Sequence, residues 1–97
     1  MHVAVCRLTL RLPGNRSLKG KRQIVRSLID RVRHRYRVAI AEVGDQDRKQ
    51  SAVIGVAAVS GEAAHASQVI ERVVDYAETQ FFDAEIIDVE TDVTDWD

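Results

Sequence analysis

Residues 37–59 read RVAIAEVGDQDRKQSAVIGVAAV. Two apolar runs, about 37–43 and 50–59, flank Gly44 and the polar stretch Asp45-Gln46-Asp47-Arg48-Lys49. That is the pattern of two strands joined by a hairpin-type loop. The second run is apolar at both parities, as expected of a strand in the middle of a sheet. On the N-terminal side, Leu18, Ile24, Val25, Leu28, Ile29, Val32 and Tyr36 recur at three- and four-residue spacing, which predicts an amphipathic helix over about 18–36. Ser17 is its expected N-cap, just after the Pro13-Gly14-Asn15 break. On the C-terminal side, Ser60 is the expected cap of a second helix, with Ala63, Ala66, Val69, Ile70, Val73, Val74 and Ala77 on one stripe and Phe81-Phe82-Asp83 closing it.

One strand remains at each end. Over residues 2–12, His2, Ala4, Cys6, Leu8, Leu10 and Leu12 share one face, with Val3, Val5, Arg7, Thr9 and Arg11 on the other. Residues 84–93 (AEIIDVETDV) alternate Ile87, Val89 and Val93 against Asp88, Glu90 and Asp92. The order βαββαβ, joined by right-handed crossovers, predicts an α+β, ferredoxin-like sandwich: a four-stranded antiparallel sheet in the order 4-1-3-2, with both helices on one face.

Length and composition agree. Ninety-seven residues, 45% hydrophobic and 30% charged, suit one globular domain spanning 1–97. No apolar run approaches the ~20 residues of a bilayer span, and the opening MHVAVCRLTLRL alternates instead of forming a signal-peptide core, so the chain reads as cytoplasmic with no membrane partner. Cys6 is the only cysteine, which excludes an internal disulfide and a cysteine-based zinc cluster.

The formal charge of −1 conceals a division. Residues 1–49 hold 13 of the 14 Lys and Arg against four acids, a formal +9; residues 50–97 hold Arg72 alone against eleven acids, a formal −10. Such asymmetry points to a polyanionic partner, or to attraction between the two halves in the fold. The topology makes the first and last strands antiparallel neighbours, so Arg7 and Arg11 are expected to form structural ion pairs with Asp88 and Glu90 on the face away from the helices.

The strongest local signal is Ser17-Leu18-Lys19-Gly20-Lys21-Arg22. It puts three cations in a first helical turn, where the macrodipole disfavours them and free N–H groups favour anions. Gly20 adds a cost in helix propensity of about 1 kcal/mol relative to Ala. At ~100° per residue, Lys19, Arg22, Arg26, Asp30, Arg33 and Arg37 fall within an arc of roughly 80°, and Arg31 and His34 widen it. A row of this kind suits the phosphates of a nucleic-acid backbone. The candidate anion-binding residues are therefore Ser17, Lys19, Lys21, Arg22, Arg26 and Arg33. A solvated face and an acidic protein partner are the competing readings.

Other chemistry is poorly represented. Tyr36, Tyr76, Phe81, Phe82 and Trp96 fall at helix ends and the C-terminus, so the sheet is no base-stacking platform. His2, His34 and His65 lie on different elements without metal-ligand spacing, and no nucleotide or nucleophile motif is present. No catalytic residue, metal or cofactor is expected.

From Ser17 to Ser60, the S-L-K-x-K-R helix start, the A-E-V at Ala41-Glu42-Val43 and the closing G-V-A-A-V-S resemble the bacterial YlxP-like family, a domain of unknown function. The resemblance covers the whole chain. It implies a ferredoxin-like fold and an RNA- or ribosome-linked role, since such members are often encoded among translation and ribosome-maturation genes. It carries no catalytic residues. Gly20 stands where the family more often has a charged helix former, which is expected to loosen the first turn. Glu42 is an expected ion-pair partner for Lys21 or Arg22, and this competes with the anion-site reading.

The function expected is a non-enzymatic accessory factor associated with RNA or the ribosome. Two alternatives stand beside it. One is a small enzyme of phosphate or acyl-phosphate substrates, with Glu42 as the sole nearby base. The other is a homo-oligomeric interaction module. A homodimer through the open sheet face is expected, because either parity of the middle strands leaves that half of the face apolar.

Overall fold

The computed structural model describes residues 1–97. The elements run β1 (His2–Arg11), α1 (Leu18–Arg35), β2 (Ala39–Gly44), β3 (Ser51–Ser60), α2 (Ala63–Gln80) and β4 (Glu85–Asp95). The four strands form an antiparallel sheet in the order β2-β3-β1-β4, which is the ferredoxin-like arrangement. Helix α2 packs on β1, β3 and β4, while α1 packs on the β2 side.

The alternation of β1 decides the two faces. Ala4, Cys6, Leu8 and Leu10 are buried beneath the helices, and their partners Ala58, Val56, Ile54 and Ala52 on β3 are buried with them. Val25, Leu28 and Val32 from α1 and Ala66, Ile70, Val73 and Ala77 from α2 complete the layer. Removing this apolar area from water, at roughly 25 cal/mol per Å2, is what holds two helices against one sheet.

Local chemistry fixes the helix ends. Ser17 caps α1, its Oγ accepting from the Gly20 N–H at 2.9 Å. Arg33, His34 and Arg35 occupy the last turn, where the dipole favours cations. The cap of α2 differs from the sequence expectation. Glu62 is the N-cap, without a side-chain cap bond, and the Ser60 hydroxyl instead accepts from the Glu62 N–H at 3.1 Å.

Two bulges shape the edge strands. Between β1 and β4 the register steps from Thr9↔Asp88 to Leu10↔Ile86, which leaves Ile87 unpaired and half exposed. Ile86, and not Ile87, is therefore the residue packed against the core at this end of β4. Between β2 and β3 the step from Glu42↔Ile54 to Gly44↔Val53 leaves Val43 extra. Its side chain lies over Gly55, where an added Cβ would stand 3.0 Å from Val43 Cγ1.

Candidate functional site

The first turn of α1 brings together residues that the sequence treats alike and separates their roles. Lys21 lies on the stripe of Val25, Leu28 and Val32 and is 1% exposed. Its Nζ donates to three carbonyl oxygens: Asp45 at 2.6 Å, Gln46 at 3.1 Å and Ser51 at 3.1 Å. Glu42 Oε2 stands 3.1 Å from the same nitrogen. An ammonium has three protons, so the carboxylate supplies charge without a hydrogen bond, and Glu42 Oε2 is buried with no donor of its own. Lys21 is thus a clamp between α1 and the β2–β3 hairpin. Its place among the anion-binding residues is corrected, because no proton and no surface of this ammonium is left for an external phosphate.

Ser17 is exposed, and its Oγ accepts from the Gly20 N–H, which takes that helix-start N–H, but not the Ser17 O–H, away from an external anion. Gly20 has a structural purpose. A Cβ there would meet Asn15 Oδ1 at 2.5 Å and Ser17 Oγ at 3.0 Å, so the missing side chain lets Asn15 fold over the helix start. Asn15 Nδ2 then donates to the carbonyls of Ser17 and Lys49, tying the β1–α1 loop to the hairpin. The first turn is fastened rather than loosened.

Lys19, Arg22, Arg26 and Arg33 remain. All four are exposed, and none has a carboxylate within 4.0 Å. Arg22 Nε reaches back to the Leu18 carbonyl at 3.3 Å. Arg33 Nη2 donates to the Ile40 carbonyl at 3.1 Å, covering one backbone acceptor of the β2 edge. Arg22, Arg26 and Arg33 line a groove of about 380 Å3 between α1 and β2, with Asp30 and Glu42 also in its wall. Arg31 does not widen this row. Its guanidinium lies 5.7 Å from the centre of the Phe81 ring, and that of Arg35 lies 4.8 Å from Tyr76, so both face α2.

On the opposite face of the sheet, Arg7 Nη2 donates to Glu90 Oε2 at 2.8 Å. This hydrogen bond, with the attraction of the guanidinium, holds the Glu90 carboxyl below its ordinary value; Asp88 assists. Arg11 makes no such pair, which corrects the expectation. The Ile87 bulge sets Arg11 opposite Glu85, and no carboxylate lies within 4.0 Å of it. Sequence reasoning also missed a second group of cations, Arg11, Arg16, Arg48 and Lys49, which share one depression. The signal was the Arg48-Lys49 pair in the hairpin loop; only the fold brings it to Arg16.

The remaining half of the open face carries Ala39, Ala41, Val43, Val53, Ala57 and Val59, with Val5 beside them on β1. Val5, Val43 and Val59 are 40%, 57% and 65% exposed. Cys6 lies on the buried face, and burial pushes its thiol up to about 11. No helix is long and apolar enough to cross a membrane.

Residues 3–91 match the model of a family described as "Protein of unknown function (DUF503)". The chain is similar to the "Uncharacterized protein YlxP" of Bacillus subtilis (strain 168), 33% identical over 63 residues, which cover 65% of this chain and 68% of that protein.

Proposed function

The chain belongs to the DUF503 family, and for this member we propose an accessory role in which the exposed face of α1 grips the phosphate backbone of structured RNA, free or in the ribosome. One observation carries the reading: Lys19, Arg22, Arg26 and Arg33 stand in a row without a carboxylate partner, in a half of the chain with a large cationic excess. Unpaired guanidinium groups along one edge suit successive phosphates, each contact releasing condensed counterions. The sheet offers no aromatic platform, so binding is led by backbone and shape. Titrating the protein with a structured RNA at about 50 and 200 mM salt tests this. Binding falls steeply with salt, and Arg22→Ala/Arg26→Ala weakens it and flattens the slope. No binding at low salt, or a double variant that binds as the parent does, rejects the reading.

A second reading concerns a second copy of the chain, and the exposed Val5, Val43 and Val59 favour it. The exposed apolar side chains lie together on three adjacent strands, and a contiguous apolar surface is where a partner would bury area. Light scattering at micromolar concentration tests it: a dimeric mass that Val59→Asp reduces to a monomer supports the stack. A monomeric parent ends it.

A further inference from the structure

The cations at the loop end of the sheet lie apart from the α1 row. The β1–α1 loop and the β2–β3 hairpin are fastened side by side. Leu12 N–H donates to the Gln50 carbonyl at 3.0 Å, Gln50 Nε2 donates to the Asn15 carbonyl at 3.3 Å, and Asn15 Nδ2 donates to the Lys49 carbonyl. Between them lies an open depression of about 760 Å3 with no hydrophobic residue in its wall. Arg11, Arg16, Arg48 and Lys49 line it, and Asp47 is its only acid. Arg11, Arg16 and Lys49 have no carboxylate within 4.0 Å, while Arg48 stands 3.8 Å from Asp45 on the hairpin.

Like charges around one opening repel each other, and flexible loops would relieve that by moving apart. These loops cannot, because backbone and amide hydrogen bonds set their spacing, with the Lys21 clamp holding the hairpin from beneath. The loop spacing is set in advance, and the four cationic side chains are free to close on an anion. An excess of three positive charges suits a ligand with several negative ones, and forked guanidiniums suit tetrahedral oxyanions. With no hydrophobic or aromatic residue in its wall, the site has no pocket shaped for a base or an acyl chain.

We propose that this depression binds a short chain of linked phosphates, recognised by the phosphates themselves and not by any group attached to them. It shares no residue with the α1 groove, so it goes beyond the RNA reading and can fail or hold independently.

The test is calorimetric titration with inorganic tripolyphosphate at about 50 mM salt. The expected result is saturable binding that Arg16→Ala/Lys49→Ala weakens about tenfold or more, and that Arg22→Ala/Arg26→Ala leaves within about twofold. Neither Arg16 nor Lys49 uses its side chain in a hydrogen bond or ion pair, so the folded state tolerates both changes; a thermal melt checks this. A nucleoside triphosphate distinguishes the source of the chain and binds no tighter than tripolyphosphate. Absence of binding by the parent, equal losses in both double variants, or a nucleoside triphosphate preferred about tenfold would each overturn the proposal.

Discussion

Lys21 Nζ and Glu42 Oε2 stand 3.1 Å apart, yet the ammonium gives its protons to three backbone carbonyls and none to the carboxylate. The pair joins the first turn of α1 to the end of β2 and the hairpin beyond it. Its two members are therefore unequal: the lysine satisfies three carbonyl oxygens, while the glutamate balances one charge.

Lys21→Met leaves three carbonyls without their donor and the buried Glu42 Oε2 without its counter-charge. It is expected to cost about 3–5 kcal/mol, a large part of the stability of a domain this size. Glu42→Gln keeps the carbonyl cage and costs less, about 1–3 kcal/mol. Urea denaturation of both variants checks the ranking. Equal losses would contradict the unequal roles.

Asn15 and Gly20 are coupled through contact. Gly20→Ala gains about 1 kcal/mol in helix propensity but places a methyl against Asn15 Oδ1 and Ser17 Oγ. In the parent the clash wins and the variant is destabilised. In an Asn15→Ala background Asn15 Oδ1 is gone, so the same change becomes neutral or stabilising. A double-mutant cycle should give an interaction energy of about 1 kcal/mol or more.

Glu90 provides the pH dependence of the open face. Its folded value lies below the unfolded one because Arg7 donates to it, so the pair stabilises the fold above the ordinary carboxylate range. That contribution disappears as pH falls through the folded value. Both side chains are exposed, and the effect on stability is accordingly small. The sharper measurement is an NMR titration: in Arg7→Ala the Glu90 carboxyl moves up toward its ordinary range.

Cys6 gives the opposite sign. Its thiol is raised from 9.0 to about 11 by burial, so the unfolded chain ionises first and stability declines as pH rises through that interval. At about pH 8 the native thiolate fraction is on the order of a thousandth. Iodoacetamide should leave the folded protein unlabelled and modify it rapidly in denaturant, and Cys6→Ala should remove this part of the alkaline decline.

The alternation of β1, the three- and four-residue stripes of the helices and the polar hairpin loop determined the fold from sequence alone, because each reports which side of its own element leaves water. The cation row of Lys19, Arg22, Arg26 and Arg33 was legible for the same reason. Lys21 was misread even though it shares a stripe with Val25, Leu28 and Val32, since a lysine on an apolar stripe is tolerable only where distant oxygens meet it. Those oxygens come from Glu42, Asp45, Gln46 and Ser51, and their convergence is a property of the tertiary structure. The Ile87 bulge that sets Arg11 opposite Glu85, and not Ile86, depends on pairing between strands at opposite ends of the chain. The depression likewise joins residues of two loops about thirty positions apart. Periodicity is local and records only which face is buried. Which charges end up beside one another depends on strand register and on loop crossings, and the folded chain alone sets those.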